Sequence, residues 1–214
     1  MHAHSCLANV YVVFFMTEQG STGHVGIAID NYKIVVRDVW ENGKMVSKED
    51  TVKTNNLTFF DLWPERDVRN WRFNRNTAPK YFKLPRTSAE NEVTVESLLA
   101  EGLPHRYRHA CDALVMINSG VKEDEDLKSF IETLQEKRPY YNARKYNCAD
   151  FVCLCLEKMW HKRVKAKEFV PMSWISTPNR LFKKLKKMPD QVLVIRDPGS
   201  KANGSFFVER ILKN

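Results

Sequence analysis

KYNCADFVCLCL, residues 145–156, sets three cysteines in one short apolar run, the first directly after an asparagine. Asn147 is a good helix N-cap, and Asp150, three residues later, can reach back to the cap backbone as the second half of a capping box. Cys148 then falls in the first turn of a helix. Phe151, Val152, Cys155 and Met159 follow at spacings that share its face, so the thiol is expected to point toward an interior layer. The helix start supplies positive partial charge and free N–H groups, which favour an anionic sulfur and can also stabilise an oxyanion. Cys153 and Cys155 lie on later turns without that advantage and read as small buried hydrophobes. A zinc site built on Cys148, Cys153 and Cys155 lacks a fourth ligand and a spacing that points the three thiols at one place.

A nucleophilic cysteine needs a base, and the chain holds six histidines. His2 and His4 sit in the N-terminal tail. His105 and His109 are four apart on a presumed helix, with no glutamate after His105 as a zinc-protease helix would require, and read as exposed. His161 follows Trp160 at a helix end. His24 differs from the rest: it opens the strand GHVGIAID (residues 23–30), where Gly26 and Ala28 share its face and Val25, Ile27 and Ile29 take the other. Small neighbours leave room for another element to come close to the imidazole. On mechanics alone, a structural histidine and a partner for Cys148 both stand.

The 214 residues are 43% hydrophobic, enough for a real core, and no repeat or long polar tract divides them, so one domain over residues 1–214 is expected. Five cysteines in a chain that needs no disulfides point to reduced thiols and a cytoplasmic setting. The apolar run ANVYVVFFM (residues 8–16) is too short to span a bilayer and reads as a buried strand rather than a signal peptide; signal-independent export or a removed leader stays open. Residues 1–85 are strand-rich: residues 8–16, 23–30, 33–40 and 57–63 are each β-branched or aromatic, and Asn42-Gly43 marks a type I′ hairpin. Residues 88–187 are expected to be helical, with helices over residues 105–120, 123–137, 148–160 and 177–187, and residues 190–212 to close as a strand pair. The reading is α+β, an antiparallel sheet or partial barrel packed against helices.

The net charge of +8 is local. Nine lysines and arginines from Lys162 to Lys187 face only Glu168, while the rest of the chain is balanced. Such a run reads first as a solvated face and second as a surface for anionic lipid or an acidic polymer. No aromatic stacking platform or nucleic-acid motif accompanies it, so no specific nucleic-acid partner is expected.

TGHVGIAID (residues 22–30) followed much later by YNCADFVCLCL resembles the permuted branch of the NlpC/P60 papain-like superfamily, which includes the lecithin:retinol acyltransferase-like proteins. In that branch a histidine opening a strand, as in His24-Val25-Gly26-Ile27, precedes an N-C-x-x-F-V helix, here Asn147 to Val152. STPNRLFKKL (residues 176–185) also looks like the segment that follows the helix in bacterial members. The resemblance implies a circularly permuted papain-like fold and acyl chemistry without cofactor or metal: His24 takes the proton of Cys148, the thiolate attacks a carbonyl, and water or another acceptor resolves the acyl-enzyme. Members of the branch hold the histidine with a third polar residue. In the retinoid-acyltransferase type this is a second histidine on the next strand, and here no histidine lies between His24 and His105.

A three-residue loop Asp30-Asn31-Tyr32 would pair Ile29 with Lys33 and set Asp38 opposite His24, which makes Asp38 the expected orienter. Glu41 and Asp61 are the alternatives. The expected activity is that of a papain-like cysteine peptidase or amidase, acting on a peptide or amide-containing substrate such as a cell-wall peptide. A thiol acyltransferase or lipid esterase, and a non-catalytic binding module on the same fold, are its rivals. No membrane span is expected; residues 162–187 offer at most a peripheral contact with an anionic surface, on a face separate from the thiol.

Overall fold

A computed structural model describes residues 8–17, 23–65, 75–87, 90–105, 107–138, 140–170 and 173–204. Its centre is strand β1 (Ala8–Phe15), buried on both faces from Val10 to Phe15, which is why those six residues are an apolar run rather than an alternation. Around it lie β2 (His24–Glu41), β3 (Lys44–Pro64), β4 (Pro79–Leu84), β5 (Ala113–Ser119) and β8 (Leu193–Arg196), in the order β4-β3-β2-β1-β5-β8 with every pair antiparallel. A second, two-stranded sheet is formed by β6 (Lys167–Val170) and β7 (Ser173–Ser176). The α+β reading and the antiparallel sheet packed against helices hold, and the sheet is a large one of six strands.

The pleat sorts β1 and β2 between two cores. Val10, Val12, Phe14, Val25, Ile27 and Ile29 face helices α2 (Val121–Lys137), α3 (Cys148–Trp160) and α4 (Pro178–Leu185). Tyr11, Val13, Phe15 and Ala28 face the other way, against the short helix α1 (Val95–Ala100), Leu103 and Cys111. Each helix is set by its own signals. In α2, Leu127, Ile131 and Leu134 form the buried stripe, and Glu123 accepts from the Gly120 N–H at 2.9 Å. In α4, Thr177 caps the Arg180 N–H at 3.1 Å and Pro178 fills the first turn.

Three expectations fail. Asp30-Asn31-Tyr32 is no loop: β2 runs on to Glu41, with only a shift of register between Asp30 and Tyr32. Residues 27–41 contain neither glycine nor proline to break the strand, and Asp30 is held in it by the Asn9 N–H at 2.7 Å and the Lys53 ammonium at 2.6 Å. The chain reverses instead at Asn42 and Gly43, both left-handed at φ 51° and 75°, as the type I′ pair demands. Secondly, residues 113–119 form β5 rather than part of a helix. The run ALVMINS is bounded by Asp112 and Gly120 and buried between β1 and β8, where strand pairing decides what periodicity in a short apolar run cannot. Thirdly, β5, β6 and β7 all fall in the stretch expected to be helical. Of the closing strand pair, β8 forms and lies beside β5, while its expected partner over residues 205–212 is outside the described residues.

Candidate active site

Asn147 starts α3 as the sequence implies. Its Oδ1 accepts the N–H groups of Ala149 at 2.9 Å and Asp150 at 3.1 Å, and Asp150 Oδ2 accepts the Asn147 N–H at 3.2 Å, completing the capping box. The Asn147 amide also donates to Ala143 O at 2.8 Å and Ser176 O at 2.9 Å, which pins the helix start to the base of β7. Cys148 is the first helical residue and retains 8% exposure; Phe151, Val152 and Cys155 on its face are buried completely. With Asn147 engaging the next two N–H groups, the Cys148 N–H is the one left at the helix start to meet an incoming oxyanion.

His24 opens β2 opposite Phe15, 2% exposed, and lies close enough to Cys148 for the charge of the sulfur to act on it. Its Nε2 lies 2.9 Å from Asp61 Oδ2. The Trp63 ring stacks on the imidazole with centroids 4.1 Å apart, and Tyr107 lies parallel at 5.8 Å on a ring that also stacks on Phe15. The expected room beside His24 is already filled. A Cβ on Gly26 would stand 2.3 Å from Phe59 Cζ, so the missing side chain admits the Phe59 ring of the neighbouring strand β3.

Asp38 does not orient His24. It lies in the outer half of β2 opposite Ser47, is exposed, and accepts from Ser47 Oγ at 2.6 Å, on the order of 40 Å from His24 at the rise of a strand. The register argument fails because the loop it assumed does not exist. Glu41, at the tip of the same strand, pairs with Lys48. Asp61 has the position. The β2–β3 register that pairs Ile27 with Phe60 carries Asp61 to the face of Gly26 and His24, and the carboxylate is fully buried. Its Oδ2 accepts from Trp63 Nε1 at 2.8 Å as well as from His24.

His105 is a third imidazole-side participant that the sequence reading placed on an exposed helix. Its Nε2 lies 3.0 Å from the same Asp61 Oδ2, and its side chain is 2% exposed against Phe82. It sits in the turn after α1, made possible by Gly102 at φ 77°, where a Cβ would stand 1.9 Å from His109 O. Gly102 and Pro104, which flank Leu103 just before His105, were the available signals against a helix there.

Burial pushes the His24 imidazole down, but the charge of the Cys148 sulfur, with the hydrogen bond that His24 donates to Asp61, outweighs it and raises the group to about 9. Burial likewise works against the Asp61 carboxylate, yet the hydrogen bonds from His105 and His24 hold it below the ordinary range. Tyr141, beside Cys148, is raised well above its ordinary value by burial first and the sulfur second, so its phenol keeps its proton. Burial pushes the other described thiols up: Cys111 to about 11, Cys153 to about 12, and Cys155 also upward. Cys6, His2 and His4 lie outside the described residues.

The basic stretch gathers mainly at the other end of α3, about 18 Å along the helix from Cys148. Lys162, Arg163, Lys184 and Lys187 line a cleft there together with Trp160. Lys167 departs from this pattern: its ammonium donates to Arg144 O at 3.2 Å and lies near the Asp150 carboxyl, which burial raises against the Ser176 hydrogen bond and the Lys167 charge. No helix among the described residues is long and apolar enough to cross a membrane.

The geometry thus joins a thiol at a helix start, an imidazole at a strand start and a buried carboxylate from the neighbouring strand, an arrangement capable of nucleophilic acyl chemistry. No protein-family model, no curated protein and no solved structure matches this chain.

Proposed function

We propose that the protein is a cysteine hydrolase of the permuted papain-like, NlpC/P60 type, which cleaves an amide or peptide bond with Cys148 as nucleophile, His24 as base and acid, and Asp61 as the residue that orients His24. The observation that carries this reading is one buried imidazole that Asp61 engages through Nε2 and on which the charge of the helix-start Cys148 sulfur acts. The chain order, histidine strand before cysteine helix, agrees with the resemblance.

In the first step His24, an imidazolium at neutral pH, already carries the proton of the pair, and the Cys148 sulfur attacks the substrate carbonyl carbon. The carbonyl oxygen gains the electron pair and faces the Cys148 N–H. As the C–N bond breaks, His24 returns the proton to the departing amine and leaves a thioester on Cys148. Water then adds to the thioester, giving its proton to His24; the C–S bond breaks and the sulfur departs as a carboxylic acid product forms. Asp61 stays ionised throughout and stabilises the imidazolium.

The test is direct. Incubated with a panel of peptide amides that includes cell-wall peptides, the protein should release free amine and pass through a thioester of the acyl fragment on Cys148 detectable by intact mass. Transfer of the acyl group to an added alcohol or amine in preference to water would instead make it an acyltransferase. Failure of Cys148→Ser and His24→Ala to change the rate would remove the proposal.

A further inference from the structure

The surface that runs from the cleft at the C-terminal end of α3 to the β6–β7 ribbon combines features that Cys148 chemistry does not use. From Arg163 to Phe169 exposure alternates: Val164 and Ala166 are buried, while Arg163, Lys165, Lys167 and Phe169 face solvent. With a period of two, three cations and one aromatic ring stand on the same side of the chain. Phe169 pairs across the ribbon with Trp174; they are 66% and 60% exposed and pack edge to face with centroids 5.5 Å apart. Two large rings thus stack on each other in water, with only Val170 and residues 171–173 between them in the chain.

At the other end of the line, a cleft of about 330 Å³ is lined by apolar Trp160 and Met188 and by the cations Lys162, Arg163, Lys184 and Lys187. The Lys184 ammonium donates to Lys165 O at 3.2 Å, which ties helix α4 to the cationic line and makes cleft and line one continuous surface. Acids contribute little: Glu168 is half-buried and out of step with the cations, and Glu157 accepts the Val164 N–H at 2.9 Å.

We propose that this surface docks the protein on an anionic lipid bilayer, with Phe169 and Trp174 entering the interface and the lysines and arginine of the line and the cleft meeting lipid phosphates. The sorting of the groups argues for a bilayer. The aromatic pair lies beyond the cations, roughly 13 Å along the strand from Lys165, as in an anchor whose rings sit at the headgroup–acyl boundary and whose charges stay at headgroup level. A single-stranded nucleic acid calls for ring faces open to the bases and interleaved with cations, whereas these rings spend part of their surface on each other. The docking is independent of the Cys148 reading.

The experiment is co-sedimentation of the full chain with vesicles of phosphatidylcholine alone or mixed with phosphatidylserine. Binding is expected only with phosphatidylserine present and should weaken with added salt. The double variants F169S/W174S and K184E/K187E, each with the circular dichroism of the wild type, should each lower the partition at least about tenfold. Brominated acyl chains should quench a share of the fluorescence that Trp174→Phe removes, a readout that needs no disruptive variant. Equal sedimentation with both vesicle types, or with neither, overturns the proposal, as does full binding by F169S/W174S. Displacement from vesicles by a single-stranded oligonucleotide that binds F169S/W174S as tightly as wild type assigns the surface to nucleic acid instead.

Discussion

Asp61 Oδ2 lies 2.9 Å from His24 Nε2 and 3.0 Å from His105 Nε2, so one buried carboxylate oxygen is shared by two imidazoles from distant parts of the chain. Both nitrogens must donate to it. With Nε2 committed to Asp61, Nδ1 is the nitrogen that His24 can offer to the proposed Cys148 chemistry.

Asp61→Asn removes the charge and one acceptor–donor match while keeping the shape. Amide turnover is expected to fall on the order of 10²–10⁴-fold. Asp38→Asn, far out on the same strand as His24, should leave the rate within about twofold, since exposed positions away from the reacting groups change little. A large loss at Asp38 with none at Asp61 would reassign the third residue.

His24 titrates near 9 against an ordinary value of 6.5. A raised value means that folding favours the imidazolium: this stabilisation is complete below about 6.5 and disappears as pH rises through about 9. Amide hydrolysis, which needs the proton for the leaving amine, should lose activity along an alkaline limb near 9. Asp61→Asn and Cys148→Ser each remove a contribution that raises the imidazole, so in both the His24 titration followed by NMR should move toward lower pH.

Alkylation should distinguish the thiols. Burial lifts Cys111 to about 11 and Cys153 to about 12, which leaves them as unreactive thiols near neutral pH, whereas Cys148 stands at a helix start near the His24 imidazole. Peptide mapping after brief treatment with iodoacetamide at pH 7 should show Cys148 as the first of the four described cysteines to react. His24→Ala should slow this by at least about tenfold. Earlier modification of Cys111 would count against the nucleophile assignment.

Asn147→Ala should lower stability and alter the chemistry together. It removes the cap of α3 and two further bonds, to Ala143 O and Ser176 O. Loss of a cap alone costs about 0.5–2 kcal/mol, and the buried carbonyls left behind add to it. Urea unfolding should therefore show a drop at the upper end of that range or beyond, with alkylation of Cys148 altered because its helix start is no longer fixed.

Gly26→Ala should destabilise by about 1–3 kcal/mol, because the new methyl would overlap the Phe59 ring in a core that is already full. A variant as stable as wild type would mean that Phe59 swings aside at little cost.

Local signals were enough for α3. Asn147, Asp150 and the apolar stripe after Cys148 lie within a few residues of one another, so capping and periodicity acted on information that the sequence displays directly, and the same holds for Thr177-Pro178 in α4 and Asn42-Gly43 in the β2–β3 turn. The strand at His24 was legible for the same reason. Where β2 ended was not: Asp30-Asn31-Tyr32 has turn-forming residues, but the Asn9 N–H and Lys53 ammonium, both remote in sequence, hold Asp30 in the strand. From that single difference the partner of His24 moves from Asp38 to Asp61, since a register is a relation between two strands and neither carries it alone. Residues 113–119 became strand because β1 and β8 flank them, and His105 reached Asp61 because the Gly102 turn folds back on itself. The sequence by itself determined the elements whose hydrogen bonds close within one turn of chain; tertiary structure decided every pairing whose partners only folding brings together.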